Sequence, residues 1–222
     1  MTTTMFSDPE LARLLDALHA QSDGQTDAMR AYFGRRAKEG TLDWNRFDPE
    51  TDRFFADKLV ALERDKAEYC YLLCRAMGAR RLVEAGTSFG VSTLYLAAAV
   101  RDNGGGSVIA TEYEPAKAAA ARANFAAAGL AGFIDLREGD LRETLKTLDG
   151  PIDLMLCDIW TEMAAPAVAL VVPHMRAGSV VIADNTDTYA EQYADCFAVL
   201  AAAGFRSRTL PFDGGLSMSV KM

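Results

Sequence analysis

Histidine is almost absent from this chain: two residues, His19 and His174, in 222. That scarcity bears on the pattern Gly86-Thr87-Ser88-Phe89-Gly90, which is literally the G-x-S-x-G of a serine hydrolase. Such an enzyme needs a histidine late in the chain, after its acid. His174 lies in Val172-Pro173-His174-Met175-Arg176, ahead of an apolar run rather than behind one, so both histidines read as packing or surface residues. Cysteine is sparse too. Four thiols stand at 70, 74, 157 and 196 with no C-x-x-C pair, which excludes a zinc knuckle and a thioredoxin-type centre. Positive charge is in deficit: 23 Lys and Arg against 31 Asp and Glu leave a net charge of -8. A nucleic-acid partner needs the opposite balance. No apolar run is long enough to span a bilayer, and the stretch from Met1 to Pro9 has no basic region followed by an apolar one. The expected setting is the cytoplasm, with neither membrane nor nucleic acid as partner.

What the chain does have is a change of rhythm near Arg80. Before it everything reads as helix. Asp8-Pro9-Glu10 is a helix start, with cap, proline and acid in the first turn, and Leu11, Leu14, Leu15 and Leu18 follow at helical spacing. A second helix covers Thr26 to Lys38. Asp48-Pro49-Glu50 leads into one long helical stretch to Met77, closed by Gly78. After Arg80, apolar runs recur at 81–85, 107–111, 133–136, 152–157, 178–183, 205–210 and 216–221. Helical stretches at 91–101, 115–128, about 163–175 and 188–203 fill most gaps. Short apolar strands alternating with helices give an α/β fold, a doubly wound and mostly parallel seven-stranded sheet. Only Pro211 to Gly215 separates the last two runs, too little for a crossover helix, so they close the sheet as an antiparallel hairpin. The chain divides into an N-terminal helical extension, residues 1–57, and a main domain, residues 58–222.

The glycine turn carries the chemistry. Val83-Glu84-Ala85-Gly86-Thr87-Ser88-Phe89-Gly90-Val91-Ser92 runs from the end of the first strand into a helix. Such a turn suits a dinucleotide, but G-x-G-x-x-G is missing because 88 is Ser and 91 is Val. A ligand without a pyrophosphate does not need those glycines, and S-adenosylmethionine is one. Gly86 and Gly90 would let backbone approach it. Ser88 and Ser92, with the first free amides of the helix, would take its carboxylate end, and Glu84 puts negative charge beside the turn. Glu112, at the end of the second strand, stands where a carboxylate would grip a ribose diol. Asp140, after the third strand, is placed to accept from an adenine amino group or to cap a helix.

These motifs, with Thr111-Glu112-Tyr113-Glu114-Pro115 and Arg137-Glu138-Gly139-Asp140, resemble the successive cofactor motifs of class I S-adenosylmethionine-dependent methyltransferases. The likeness is to the small O-methyltransferases of the catechol and caffeoyl-coenzyme-A type, and it runs from about Leu59 to Met222. It implies a Rossmann-like methyltransferase fold, S-adenosylmethionine as cofactor, a small hydroxylated acceptor and a homodimer. Thr87 falls within the cofactor turn, Lys66 falls where such proteins touch the methionine end, and Trp160 where they pack an aromatic on adenine. Asp158, Asp184 and Asn185 resemble the family's Mg²⁺ ligands. They offer oxygen alone, as a hard cation prefers, and Asp158 is then also catalytic. The chain departs from the family at Thr161, where a lysine base is common, and in the hairpin Asp213-Gly214-Gly215-Leu216-Ser217. Two other readings remain: an NAD(P)-dependent oxidoreductase, and a non-catalytic S-adenosylmethionine-binding protein. Tyr32, Phe33, Trp44, Phe47, Phe54 and Phe55 could cover the crevice, form the dimer contact or simply pack.

Overall fold

The structure is a computed structural model that describes residues 5–43 and 48–222; Trp44 and Phe47 lie outside the described residues. Four helices come first: α1 (Pro9–Asp23), α2 (Thr26–Lys38), α3 (Pro49–Phe55) and α4 (Arg64–Met77). Asp8 caps α1 and Asp48 caps α3, each carboxylate accepting two backbone amides of the first turn. Both caps precede a proline, as the sequence signals predict.

The expected single helix from Glu50 to Met77 is broken. Residues 56–63 form a connecting stretch, and its backbone groups are satisfied from α1 and α2's entrance rather than by helical bonds. Gln25 accepts from the Leu59 amide at 3.2 Å and donates to the Leu59 carbonyl at 3.1 Å. Ser22 accepts from the Ala61 amide at 3.2 Å. Leu59 and Leu62 are thereby held in the core, 0% and 2% exposed, which a continuous helix over this stretch would not guarantee.

From β1 (Arg81–Ala85) the alternation follows the expected order: α5 (Val91–Asp102), β2 (Ser107–Glu112), α6 (Pro115–Ala127), β3 (Ile134–Glu138), α7 (Leu141–Thr144), β4 (Ile152–Cys157), α8 (Thr161–Val171), β5 (Met175–Asp184), α9 (Ala194–Ala202), β6 (Phe205–Leu210) and β7 (Leu216–Lys221). The seven-stranded sheet has the order β3-β2-β1-β4-β5-β7-β6. Strands β1 to β5 run parallel to one another, and β7 pairs antiparallel with both β5 and β6. Helix α9 is shorter than expected, because residues 185–193 are turns. Strand β5 starts earlier, at Met175, and its register against β4 shifts between Met175 and Val180.

Two apolar layers cover the sheet. One packs Leu82, Leu154 and Ile182 under α4 and α5, and Leu11, Leu15 and Leu18 of α1 belong to this same layer. The other packs Val83, Met155 and Val181 under α8 and α9. Helix α1 therefore shares the core of the main domain. Parallel order puts the carboxyl ends of β1, β2 and β4 side by side, and the switch between β1 and β4 opens a crevice there.

Candidate active site

Residues 86–90 leave β1 by a turn whose backbone only particular residues tolerate. Gly86, Ser88 and Gly90 have φ of 96°, 50° and 84°, all left-handed. Gly86 also has no space for a side chain, since a Cβ there would sit 1.9 Å from the Asp158 carbonyl oxygen. At Gly90 a Cβ would meet the Phe125 ring at 2.3 Å. The second glycine therefore serves the packing of α6 against the turn, and it does not face the crevice.

Glu84 lies beneath this turn, 0% exposed. Ser92 donates to it at 2.7 Å and Thr87 at 3.0 Å, and Thr93 is a third hydroxyl donor. Burial pushes its carboxyl up to about 7, against the pull of those hydroxyls. Glu84 thus ties β1 to the start of α5, and the Ser92 hydroxyl is spent on it. Ser88 differs: its hydroxyl oxygen is buried with no partner among the described residues.

Glu112 faces the crevice from the end of β2. It accepts the Ser88 amide at 2.7 Å and the Glu114 amide at 2.8 Å, so the glycine turn and the second strand are joined through one carboxylate. Burial pushes its pKa up. Lys117, in the first turn of α6, lines the same crevice and has its pKa lowered by burial. Asp140 caps α7, accepting the Arg142 amide at 2.9 Å and its guanidinium at 2.6 Å, which hold its carboxyl below the usual range.

On the opposite wall, β4 delivers Asp158. Its amide donates to the Ala85 carbonyl at 3.1 Å. Burial and the negative charges of Asp184, Glu63 and Glu84 raise its pKa well above the ordinary value. Trp160 follows, 38% exposed, and Phe55 of α3 meets it edge-on with ring centroids 5.4 Å apart. With Met29, Phe33, Val60 and Met163 these rings wall a crevice of about 670 Å³. Arg36 holds α2 and α3 together around it: buried, it donates to Asp48 at 2.6 Å and to the Tyr32 hydroxyl at 3.0 Å.

The expected residues therefore fall into two groups. Gly86, Thr87, Ser88, Ser92, Glu112, Asp140, Asp158, Trp160 and Asn185 line the crevice; Lys66, Glu84, Gly90 and Asp184 lie behind it. Lys66 is 0% exposed and donates to Asp184 at 2.7 Å, with Glu63 2.9 Å away. The other Asp184 oxygen accepts from the Asn185 amide nitrogen at 2.8 Å. Both Asp184 oxygens are thus engaged, one by Lys66 and one by Asn185. Among the described residues no group of three or more His, Cys, Asp or Glu is arranged to hold a metal. Sequence reasoning missed Thr93, Phe125, Lys117 and Glu63. Glu63 alone left a trace, an acid three residues before a lysine at a helix start.

A seven-stranded sheet with this order and a glycine turn at its switch point is the class I methyltransferase fold. Residues 83–186 match the model of a family described as a methyltransferase domain. The chain is 34% identical over 127 residues to a catechol O-methyltransferase of Mycobacterium tuberculosis, covering 57% of each chain. A catechol O-methyltransferase of Niastella koreensis is 31% identical over 134 residues, 57% of this chain and 58% of that one. The match thus spans somewhat more than half the length of these relatives. Among solved structures, an O-methyltransferase from Bacillus cereus in complex with S-adenosylhomocysteine superposes with a TM-score of 0.68 at 20% identity, covering 98% of this chain and 92% of that one. The O-methyltransferase TomG from Streptomyces achromogenes gives 0.67 at 21%, covering 80% and 91%. No described helix is long and apolar enough to cross a membrane.

Proposed function

We propose that this protein is an S-adenosylmethionine-dependent O-methyltransferase acting on a small hydroxylated aromatic acceptor. The observation that carries this reading is the Glu112 carboxylate. It is locked to the Ser88 amide at 2.7 Å and faces a crevice whose far wall is Asp158 and Trp160. A carboxylate so held has lone pairs left for two vicinal hydroxyls. The unpartnered Ser88 hydroxyl suits a carboxylate, Asp140 suits an adenine amino group, and Trp160 suits a flat face.

When bound, the cofactor would supply a sulfonium methyl carbon to which an acceptor hydroxyl oxygen could bond as the C–S bond breaks, with the C–S electron pair leaving on sulfur and the hydroxyl proton passing to a base. The protein's part is to orient and to exclude water. Phe33, Phe55, Val60 and Met163 give the acceptor an apolar wall, so α2 and α3 of the N-terminal extension serve as part of its cover. Asp158 stands closest to the role of proton acceptor, being a crevice carboxylate whose surroundings favour holding a proton. The Mg²⁺-assisted form of the reaction asks Asp158, Asp184 and Asn185 to share one ion; the engagement of Asp184 by Lys66 and by the Asn185 side chain argues against it.

Four free, buried thiols suit a reducing cytoplasm. The expected homodimer belongs to the same reading, and light scattering measures it. Calorimetry with S-adenosylhomocysteine tests the whole: wild type binds, and Glu112→Ala weakens binding at least about a hundredfold, the loss expected when a charge-assisted pair of hydrogen bonds goes. Absence of binding at millimolar ligand sinks the proposal. Methylation of any phenolic acceptor excludes a non-catalytic binding protein.

A further inference from the structure

We propose that Lys66 is the built-in cation of this site: its ammonium holds Asp184 by a buried ion pair, so the chain does not stably bind a divalent ion at Asp158, Asp184 and Asn185. For its consequence, methyl transfer without a metal, the proposal rests on the methyltransferase reading above.

An ammonium buried as deeply as Lys66 persists only when paired. Asp184, 3% exposed, supplies the partner at 2.7 Å, and Glu63 supplies a second at 2.9 Å. Helix α4 cannot swing the lysine away, because Ala67, Cys70 and Cys74 on the same face are fixed in the core. The remaining Asp184 oxygen takes the Asn185 amide at 2.8 Å. That contact also orients the amide, since turning it over would set two acceptor oxygens against each other. The Asn185 oxygen consequently faces the closing hairpin, where a Cβ at Gly214 would come within 2.6 Å of it.

Two of the three oxygen donors are therefore occupied or averted, and Asp158 is left alone. Mg²⁺ gives up its waters reluctantly, and one carboxylate holds it weakly. An incoming divalent ion would also stand close to a fixed positive charge in a poorly solvated place. Lys66 thereby acts as a positioning residue: it neutralises Asp184 and fixes the end of β5 beside Asp158.

The test is a titration with Mn²⁺, followed by electron paramagnetic resonance on the full chain without acceptor. Wild type should show no one-to-one site tighter than roughly millimolar. Lys66→Met frees Asp184 and should bind one Mn²⁺ at least about tenfold more tightly. Lys66→Met/Asp184→Asn should lose the site again, and Lys66→Arg should behave as wild type. A micromolar wild-type site that Asp184→Asn abolishes overturns the proposal, as does a Lys66→Met variant that gains nothing. If Lys66→Met does not fold, wild type and Lys66→Arg decide: tight binding by either overturns the idea, and its absence in both supports it. Binding of S-adenosylhomocysteine, measured in parallel, fails only if the methyltransferase reading fails.

Discussion

At the residue scale, the glycines of the turn are closely crowded by their neighbours. Gly86→Ala would drive a methyl group into the Asp158 backbone, 1.9 Å away, at a φ of 96°. Backbone cannot yield as a side chain can, so the variant should lose at least about 3 kcal/mol in chemical denaturation. Gly90→Ala meets the Phe125 ring, which can move. It should cost roughly 1–3 kcal/mol, and Phe125→Leu should recover part of that in a double-mutant cycle. Glu84 gives a pH prediction. Its carboxyl ordinarily titrates at 4.5 and is raised to about 7 by burial. Between those values the folded protein keeps a proton that the unfolded chain has lost. This contribution to stability is thus full below 4.5 and lost as pH rises through 7. Glu84→Gln should flatten that decline in thermal melts between about pH 5 and 8, a window set around these two values. Glu84 was visible in the sequence as part of the motif. Its three hydroxyl donors were not, because a hydrogen bond from Thr93 to Glu84 depends on how the first turn of a helix folds back over a strand.

At the element scale, α1 shows how the N-terminal region is tied to the domain. Its leucines share the core with α5, and His19 is buried with its Nε2 3.1 Å from the Tyr95 hydroxyl. Burial, then the nearby Arg64 charge, lowers the His19 pKa from 6.5, with Asp23 and Asp16 opposing. The unfolded chain accordingly takes up a proton that the folded one resists. Stability is full above 6.5 and falls as pH drops below it. Thermal melts of His19→Gln should lose this acid-side slope, while wild type keeps it. The broken helix between α3 and α4 belongs at this scale as well. Helical spacing ran through residues 56–63 without interruption by glycine or proline, so nothing local marked the break. Side chains from another part of the chain, Gln25 and Ser22, made the irregular backbone acceptable.

At the scale of the whole molecule, alternating apolar runs and helices were enough to specify a doubly wound sheet with a hairpin at its edge. Apolar periodicity records which faces are buried, and burial of those faces does most to choose the architecture. That the glycine turn, Glu112 and Asp158 would line one crevice was legible for a related reason: each closes a strand, and strand ends in this topology meet there. What the sequence could not determine is which charges pair. Lys66 and Asp184 are 118 residues apart, and nothing in either neighbourhood marks the other. Their contact exists because α4 packs across the sheet near the end of β5, and a buried ammonium must find a carboxylate wherever the packing leaves it. The sequence by itself determined the class of fold and the end of the sheet at which the crevice opens. Only the tertiary structure decided which of the candidate oxygens face the crevice and which are already held by a lysine behind it.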